Sequence, residues 1–300
     1  MKKLLLLFFI LLFYNCSLYA QSDAALISEL IKDIETTQVK QTGEFYAGMF
    51  PTYRECAGWP HNYQPDNNIF FTAITAFTLR NMMHRLPVDI KIRAKQIIEN
   101  IKPVYRHYRN PNGNPFYSFW PANAPILPHS FYFEHLTGIF AQGDDADDSV
   151  MILMTGDNND SDNTALKQRM QQQSNLYRRR IKSTYKKYRK IPAYCTYLGN
   201  QMHPDFDFAV QCNILYFVLD KKLPLVKQDS ATIDLLARML KNREYIKAPV
   251  YISPYYGKPA VLLYHVARLM GTFKINELQQ YKDQLVADAN LLLRDRKSVV

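Results

Sequence analysis

Two kinds of apolar pattern alternate along the chain, both with a helical period. In the first, Ile90, Ala94, Ile97, Ile98 and Ile101 recur at three- and four-residue spacing after Pro87, with Lys, Arg, Glu and Gln opposite them. Ile233, Leu236 and Leu240 repeat the pattern after Ser230, and Leu278, Tyr281, Leu285 and Leu292 repeat it near the C-terminus. Such helices bury one side only. In the second kind, residues 69–83, 150–154, 208–219 and 260–270 are apolar nearly all the way round and must be enclosed by protein. No period-two alternation persists for six residues between turn signals. The alternation predicts an inner ring of apolar helices inside an outer amphipathic ring: an all-α chain forming a single (α/α) toroid over residues 21–300.

The segments leading into the four inner helices are rich in aromatics and broken by Pro or Gly: Trp59 to Pro65, Phe116 to Pro121, Tyr194 to Gly199 and Tyr251 to Tyr256. If the inner helices run parallel, these loops meet at one end. Two readings stand. The aromatics close the ring by packing on one another, or they line the mouth of a ligand pocket. On the second reading Trp120, Tyr117, Phe119, Tyr255 and Tyr256 are substrate-binding candidates.

The first residues stand apart. Lys2 and Lys3 precede an apolar run from Leu4 to Phe13, and Ala20 offers a small residue before Gln21. This predicts a signal peptide over residues 1–20 and export to a periplasmic or extracellular site. The alternative, lipid attachment at Cys16, sits poorly with the bulky Phe13-Tyr14-Asn15 before it. No later segment has the length of a membrane span.

Composition adds exclusions. With 47% hydrophobic and 21% charged residues, 10 Gly and 16 Pro, the chain is neither disordered nor collagenous. The net charge of +10 is a mild basic excess, and no groove-reading motif for nucleic acid accompanies it. Much of it falls in residues 178–190, where Arg178, Arg179, Arg180, Lys182, Lys186, Lys187, Arg189 and Lys190 occur without an acid. Tyr177, Ile181, Tyr185 and Tyr188 recur there at helical spacing, predicting an outer helix with a basic face. The sharper reading is contact with an anionic membrane surface. Cys56, Cys195 and Cys212 lack metal-site spacing, and His61, His129, His135, His203 and His265 are scattered. Residues 157–163 have an acidic, calcium-loop-like composition but fail the EF-hand pattern, which leaves a solvated loop. No cofactor is expected.

The string Gly143-Asp144-Asp145-Ala146-Asp147-Asp148-Ser149 opens an apolar helix with four carboxylates. One Asp is enough to cap a helix. Four repel, so burial must raise at least one pKa and retain a proton. A neutral carboxylic acid at the edge of an apolar cavity is suited to general acid work.

Asp145-Ala146-Asp147-Asp148-Ser149 resembles the DxDD(T/S) motif of class II terpene cyclases such as the squalene–hopene cyclases, which are (α/α) toroids. The resemblance implies an isoprenoid-like substrate. Asp147 would be the acid that protonates an alkene or epoxide, with Asp145 and Asp148 as its electrostatic partners. Aromatic faces would then stabilise the cations. The chain also resembles secreted bacterial toroid proteins in which a DADD(S/T) helix accompanies an Asp-x(4)-Cys-Asn helix, here Asp207 to Asn213. Asp207 opens that helix. Asn213, inside the run Val210 to Val218, must find hydrogen-bond partners, by bridging inner helices or by lining a cavity. Two further function classes remain open. One is a glycan-processing enzyme with Asp147 and Asp207 as paired carboxylates and Trp120 stacking on sugar. The other is a non-catalytic binding protein using the same rim.

Overall fold

The apolar runs fold as helices, and the chain is mainly α-helical. The computed structural model describes residues 23–55, 63–122, 143–177, 179–199 and 202–294. The expected signal peptide, Cys16, Cys56, Trp59, His61, His129, His135 and Arg178 lie outside the described residues.

The helices are α1 (Asp23–Thr37), α2 (Phe70–Met82), α3 (Val88–Ile101), α4 (Ala146–Thr155), α5 (Asp160–Gln172), α6 (Phe208–Asp220) and α7 (Lys227–Lys241), followed by the short α8 (Glu244–Lys247) and α9 (Pro249–Ile252), then α10 (Pro259–Thr272), α11 (Asn276–Gln279) and α12 (Lys282–Arg294). A small antiparallel hairpin pairs β1 (Tyr53–Glu55) with β2 (Tyr63–Pro65), Arg54 facing Gln64.

Two layers are present. The four inner helices pack in sequence, α2 on α4, α4 on α6 and α6 on α10. Each has an outer partner: α3 on α2, α5 on α4, α7 on α6 and α12 on α10, with α1 against α3. All of α4 and Phe208 to Val218 of α6 are buried, as their all-round apolar character requires. The terminal members of the series are not enclosed. Phe71 and Met82 of α2 and Tyr264 of α10 are exposed, because each of these helices has one inner neighbour rather than two and the two do not pack extensively on each other.

The inner helices run parallel. Their N-terminal residues border one cavity, while at the other end Arg80 Nη2 of α2 donates to Asp220 Oδ1 of α6 at 2.9 Å. Three sequence expectations need correction. Residues 179–190 form no helix: Leu176 adopts a left-handed conformation (φ +70°), and buried Asn175 organises an irregular loop. Its Nδ2 donates to the carbonyls of Arg189 (3.1 Å) and Ile191 (2.7 Å), and its Oδ1 accepts from the Ile181 amide (3.0 Å). Ile181 and Tyr188 are therefore inward anchors of a loop rather than one face of a helix. The acidic stretch expected as a loop enters α5 at Asp160, since Asn159 and Asp162 form a capping box. The C-terminal pattern is interrupted at Gln280 and Tyr281, dividing it into α11 and α12.

A buried charge pair fixes the outer layer to a site loop. Lys167 Nζ of α5 lies 2.9 Å from Asp229 Oδ2 of α7 and also donates to the Pro224 carbonyl. Asp229 Oδ1 accepts from the Tyr194 hydroxyl at 2.9 Å, just ahead of Thr196 and Tyr197. Lys167→Met leaves the Asp229 carboxylate buried without its cation. It is expected to cost about 3 kcal/mol in chemical denaturation, and a loss below about 1 kcal/mol contradicts this role.

Candidate active site

The acid-rich turn is the middle one of three extended segments that lie side by side at the N-terminal end of the inner helices. Tyr117 pairs with Asp145, and Asp145 with Tyr197, in isolated antiparallel bridges. The Asp145 amide donates to the Tyr117 carbonyl (3.0 Å), Ala146 to Thr196 (2.7 Å) and Leu198 to Asp144 (2.9 Å). Ser149 Oγ accepts from the Tyr117 amide at 2.9 Å and donates to the Asp145 carbonyl at 2.6 Å. Gly143 enters the turn with φ +76°, a conformation that suits glycine.

This arrangement borders a cavity of about 1000 Å³. Phe70, Phe71 and Ile74 of α2 form one wall with Phe119 and Trp120. Asp145, Asp147, Asp148, Thr196, Tyr197 and Val210 form another, and Tyr255, Tyr256, Gly257, Lys258, Val261, Tyr264 and His265 complete it. Aromatic and aliphatic side chains dominate, and the acids are concentrated at the start of α4.

The three acids of the motif differ in environment. Asp145 caps α4, its Oδ1 accepting from the Asp148 amide at 2.8 Å. Both oxygens of Asp147 are engaged: Oδ1 accepts from Asn213 Nδ2 at 2.6 Å, and Oδ2 accepts from the Tyr256 hydroxyl. Asn213 in turn accepts from Arg268 Nη2. The Arg268 guanidinium lies over the rings of Phe77, Tyr264 and Tyr216, with centroids 4.8, 5.2 and 5.5 Å away. Asp148 is almost wholly buried, and its Oδ1 meets no hydrogen-bond partner among the described residues.

Desolvation pushes all three carboxyls up. For Asp147 the hydrogen bonds from Tyr256 and Asn213, and the charge of Arg268, work against the rise. Asp145 is pushed up to about 7 by burial, reinforced by the neighbouring acids, while its hydrogen bonds from Asp148 resist. Asp148 goes furthest, well above the carboxylate range, because the Asp145 and Asp147 charges add to burial and a hydrogen bond to Asp145 favours its neutral form. Burial and the like charges thus favour the neutral form most strongly at Asp148, next to Asp145.

Of the candidates read from the sequence, Asp145, Asp147, Asp148, Trp120, Phe119, Tyr255 and Tyr256 line the cavity together. Tyr117, Asp207 and Asn213 do not. Tyr117 is buried behind the wall, where its backbone holds the acid-rich turn. Asn213 is the bridge between α6 and α4 rather than a wall residue. Asp207 is consumed by structure. Its Oδ1 accepts from the Ala209 and Val210 amides and from Ser253 Oγ (2.6 Å), and its Oδ2 from the Tyr255 amide (3.1 Å). Trp120 is oriented by its Nε1, which donates to Asp66 Oδ1 at 2.7 Å. Cys195 and Cys212 are free, buried thiols. No helix among the described residues is long and apolar enough to cross a membrane.

Sequence reasoning missed Phe70, Thr196, Tyr264, His265 and Arg268. The last three share the start and middle of α10, where their polar tips were hidden in an apolar run. The three-residue spacing of His265 and Arg268 was the available signal. No family model, curated protein or solved structure matches the chain.

Burial of proton-holding acids has a thermodynamic consequence. Asp148 binds its proton in the folded chain at pH values where the unfolded chain has released it, so its contribution to stability falls as pH rises above about 4. Asp148→Asn removes that penalty and retains a donor toward Asp145. Thermal unfolding is expected to find the variant more stable than the parent at pH 8, with the difference shrinking toward pH 4. A variant less stable at pH 8 contradicts the assignment.

Proposed function

We propose that the cavity is the active site of an enzyme that protonates an apolar, isoprenoid-like alkene. The observation that carries this reading is Asp148: a carboxyl that burial and the neighbouring acids push well above the carboxylate range, among the residues that line an aromatic cavity. Protonation of an alkene needs a donor that keeps its proton at neutral pH and a water-poor cavity around it. Phe70, Phe119, Trp120, Tyr197 and Tyr256 offer rings around the space in which positive charge develops. Asp147 accepts two hydrogen bonds, which work against the rise that burial imposes on its carboxyl and suit it better than Asp148 to the role of counter-ion. The reading thus transfers the acid from Asp147, where the terpene-cyclase resemblance puts it, to its neighbour.

The four inner–outer helix pairs support an (α/α) toroid as the fold type, with the gap between α2 and α10 as its open side. We also read residues 1–20 as an export signal. The exposed cations Arg180, Lys182, Lys186 and Lys190 suit the anionic membrane surface near which such substrates dissolve. The glycan alternative loses its second carboxylate, since Asp207 is committed to the α6 cap and to Ser253.

The test is proton transfer itself. Squalene and geranylgeraniol, dispersed in detergent, are incubated with the protein in D2O and analysed by mass spectrometry. The parent is expected to place deuterium on carbon, and Asp148→Asn to lower the rate by about two orders of magnitude or more. Retention by Asp148→Asn with loss in Asp147→Asn returns the acid to Asp147. No incorporation by the parent contradicts the reading.

A further inference from the structure

The cavity is apolar over most of its wall but carries opposite charges at its two ends. Asp145, Asp147 and Asp148 are buried and mark the inner wall, at the start of α4. The exposed lining residues are Phe71, Tyr255, Lys258 and Tyr264, and these mark the mouth. Lys258 is the one lysine or arginine lining the cavity among the described residues. No ion pair or hydrogen bond engages its ammonium there.

The backbone that presents Lys258 is held on both sides. The Tyr255 amide donates to Asp207 Oδ2 at 3.1 Å, and the Tyr256 hydroxyl donates to Asp147. Gly257 sits so tightly on α9 that a Cβ there would come within 2.8 Å of Val250 Cγ2. Pro259 then opens α10 with its backbone already restricted. A cation on a fixed turn beside three exposed rings is placed to meet one end of a ligand whose remainder is apolar.

Charge also decides which way round such a ligand lies. An anionic headgroup at the inner wall would add a like charge to carboxyls that burial already pushes up. At the mouth it stays in contact with water and gains the ammonium. The ligand therefore enters tail first, with its chain beside Phe70, Phe119 and Trp120. One lysine balances one negative charge. A diphosphate brings several and is met best by arginine forks, which the cavity lacks among its described lining residues. We propose that the cavity takes a long-chain unsaturated carboxylic acid, its carboxylate on Lys258 at the mouth and its chain along the aromatic wall. This rests on the reading of the cavity as a site for an apolar alkene, and it assigns the end of the molecule that reading leaves open.

The test is binding rather than turnover. Fluorescence of cis-parinaric acid reports occupancy, and oleic acid, oleyl alcohol and geranylgeranyl diphosphate compete with it. The parent is expected to bind oleic acid more tightly than the other two. Lys258→Met keeps an unbranched apolar stem and removes the charge. It is expected to weaken oleic acid about fivefold, the scale of an ion pair at a solvated rim, and to leave oleyl alcohol unchanged. Lys258→Gln is the second variant, should the first fail to fold by circular dichroism. An equal effect on acid and alcohol, or none on either, overturns Lys258 as the headgroup anchor while leaving the apolar site in place. Tighter binding of the diphosphate or the alcohol than of oleic acid by the parent overturns the carboxylate assignment. No binding of any of these chains by the parent removes the underlying reading as well.

Discussion

Four carboxylates at the start of one buried helix are the constraint around which this molecule is arranged. Transferring ionised carboxyls from water to an apolar wall is prohibitive unless each is paired, hydrogen-bonded or neutral. The structure uses the last two solutions in adjacent residues. Asp144 accepts from Asn110 and Ser118, Asp145 caps α4, and Asp147 is held by Asn213 and Tyr256 with Arg268 behind them. Asp148 receives none of these at Oδ1, and burial with its acid neighbours pushes its carboxyl furthest toward the neutral form. The same loops that deliver hydrogen bonds to the cluster carry the aromatics of the cavity, so site electrostatics and site shape have one origin.

The gap in the helix series is equally consequential. Because α2 and α10 each lack a second inner neighbour, they leave aromatic surface uncovered near their N-termini, and Phe71 and Tyr264 become wall residues. Deeper along the helices, Arg268 fills the space between α2, α6 and α10 by lying over Phe77 and Tyr216. One guanidinium thus closes the lower end of the gap and anchors the Asn213–Asp147 chain of hydrogen bonds.

Much of this architecture is legible in the amino-acid sequence. The inner and outer helices follow from their apolar periodicity, and the aromatic loops before them point to an aromatic cavity beside Asp145, Asp147 and Asp148. Periodicity fails where side-chain hydrogen bonds organise the backbone. Tyr177, Ile181, Tyr185 and Tyr188 repeat like a helix face, yet Asn175 and the left-handed Leu176 set a loop there. Asp207 has the residue type of a catalytic acid, but its partners Ser253 and the Tyr255 amide come from a distant segment that spacing cannot reveal. His265 looks like one of several scattered histidines, and only the structure places it among the cavity-lining residues.

The central claim is that a proton resides on Asp148 at neutral pH. It is tested most directly by carbon-13 NMR of protein labelled at the aspartate carboxyls, with Asp148 assigned by its loss in Asp148→Asn. The Asp148 carboxyl is expected to keep the chemical shift of a neutral acid at pH 7 and to ionise only above it. Titration of Asp148 near the ordinary aspartate value of about 3.9 would contradict the account.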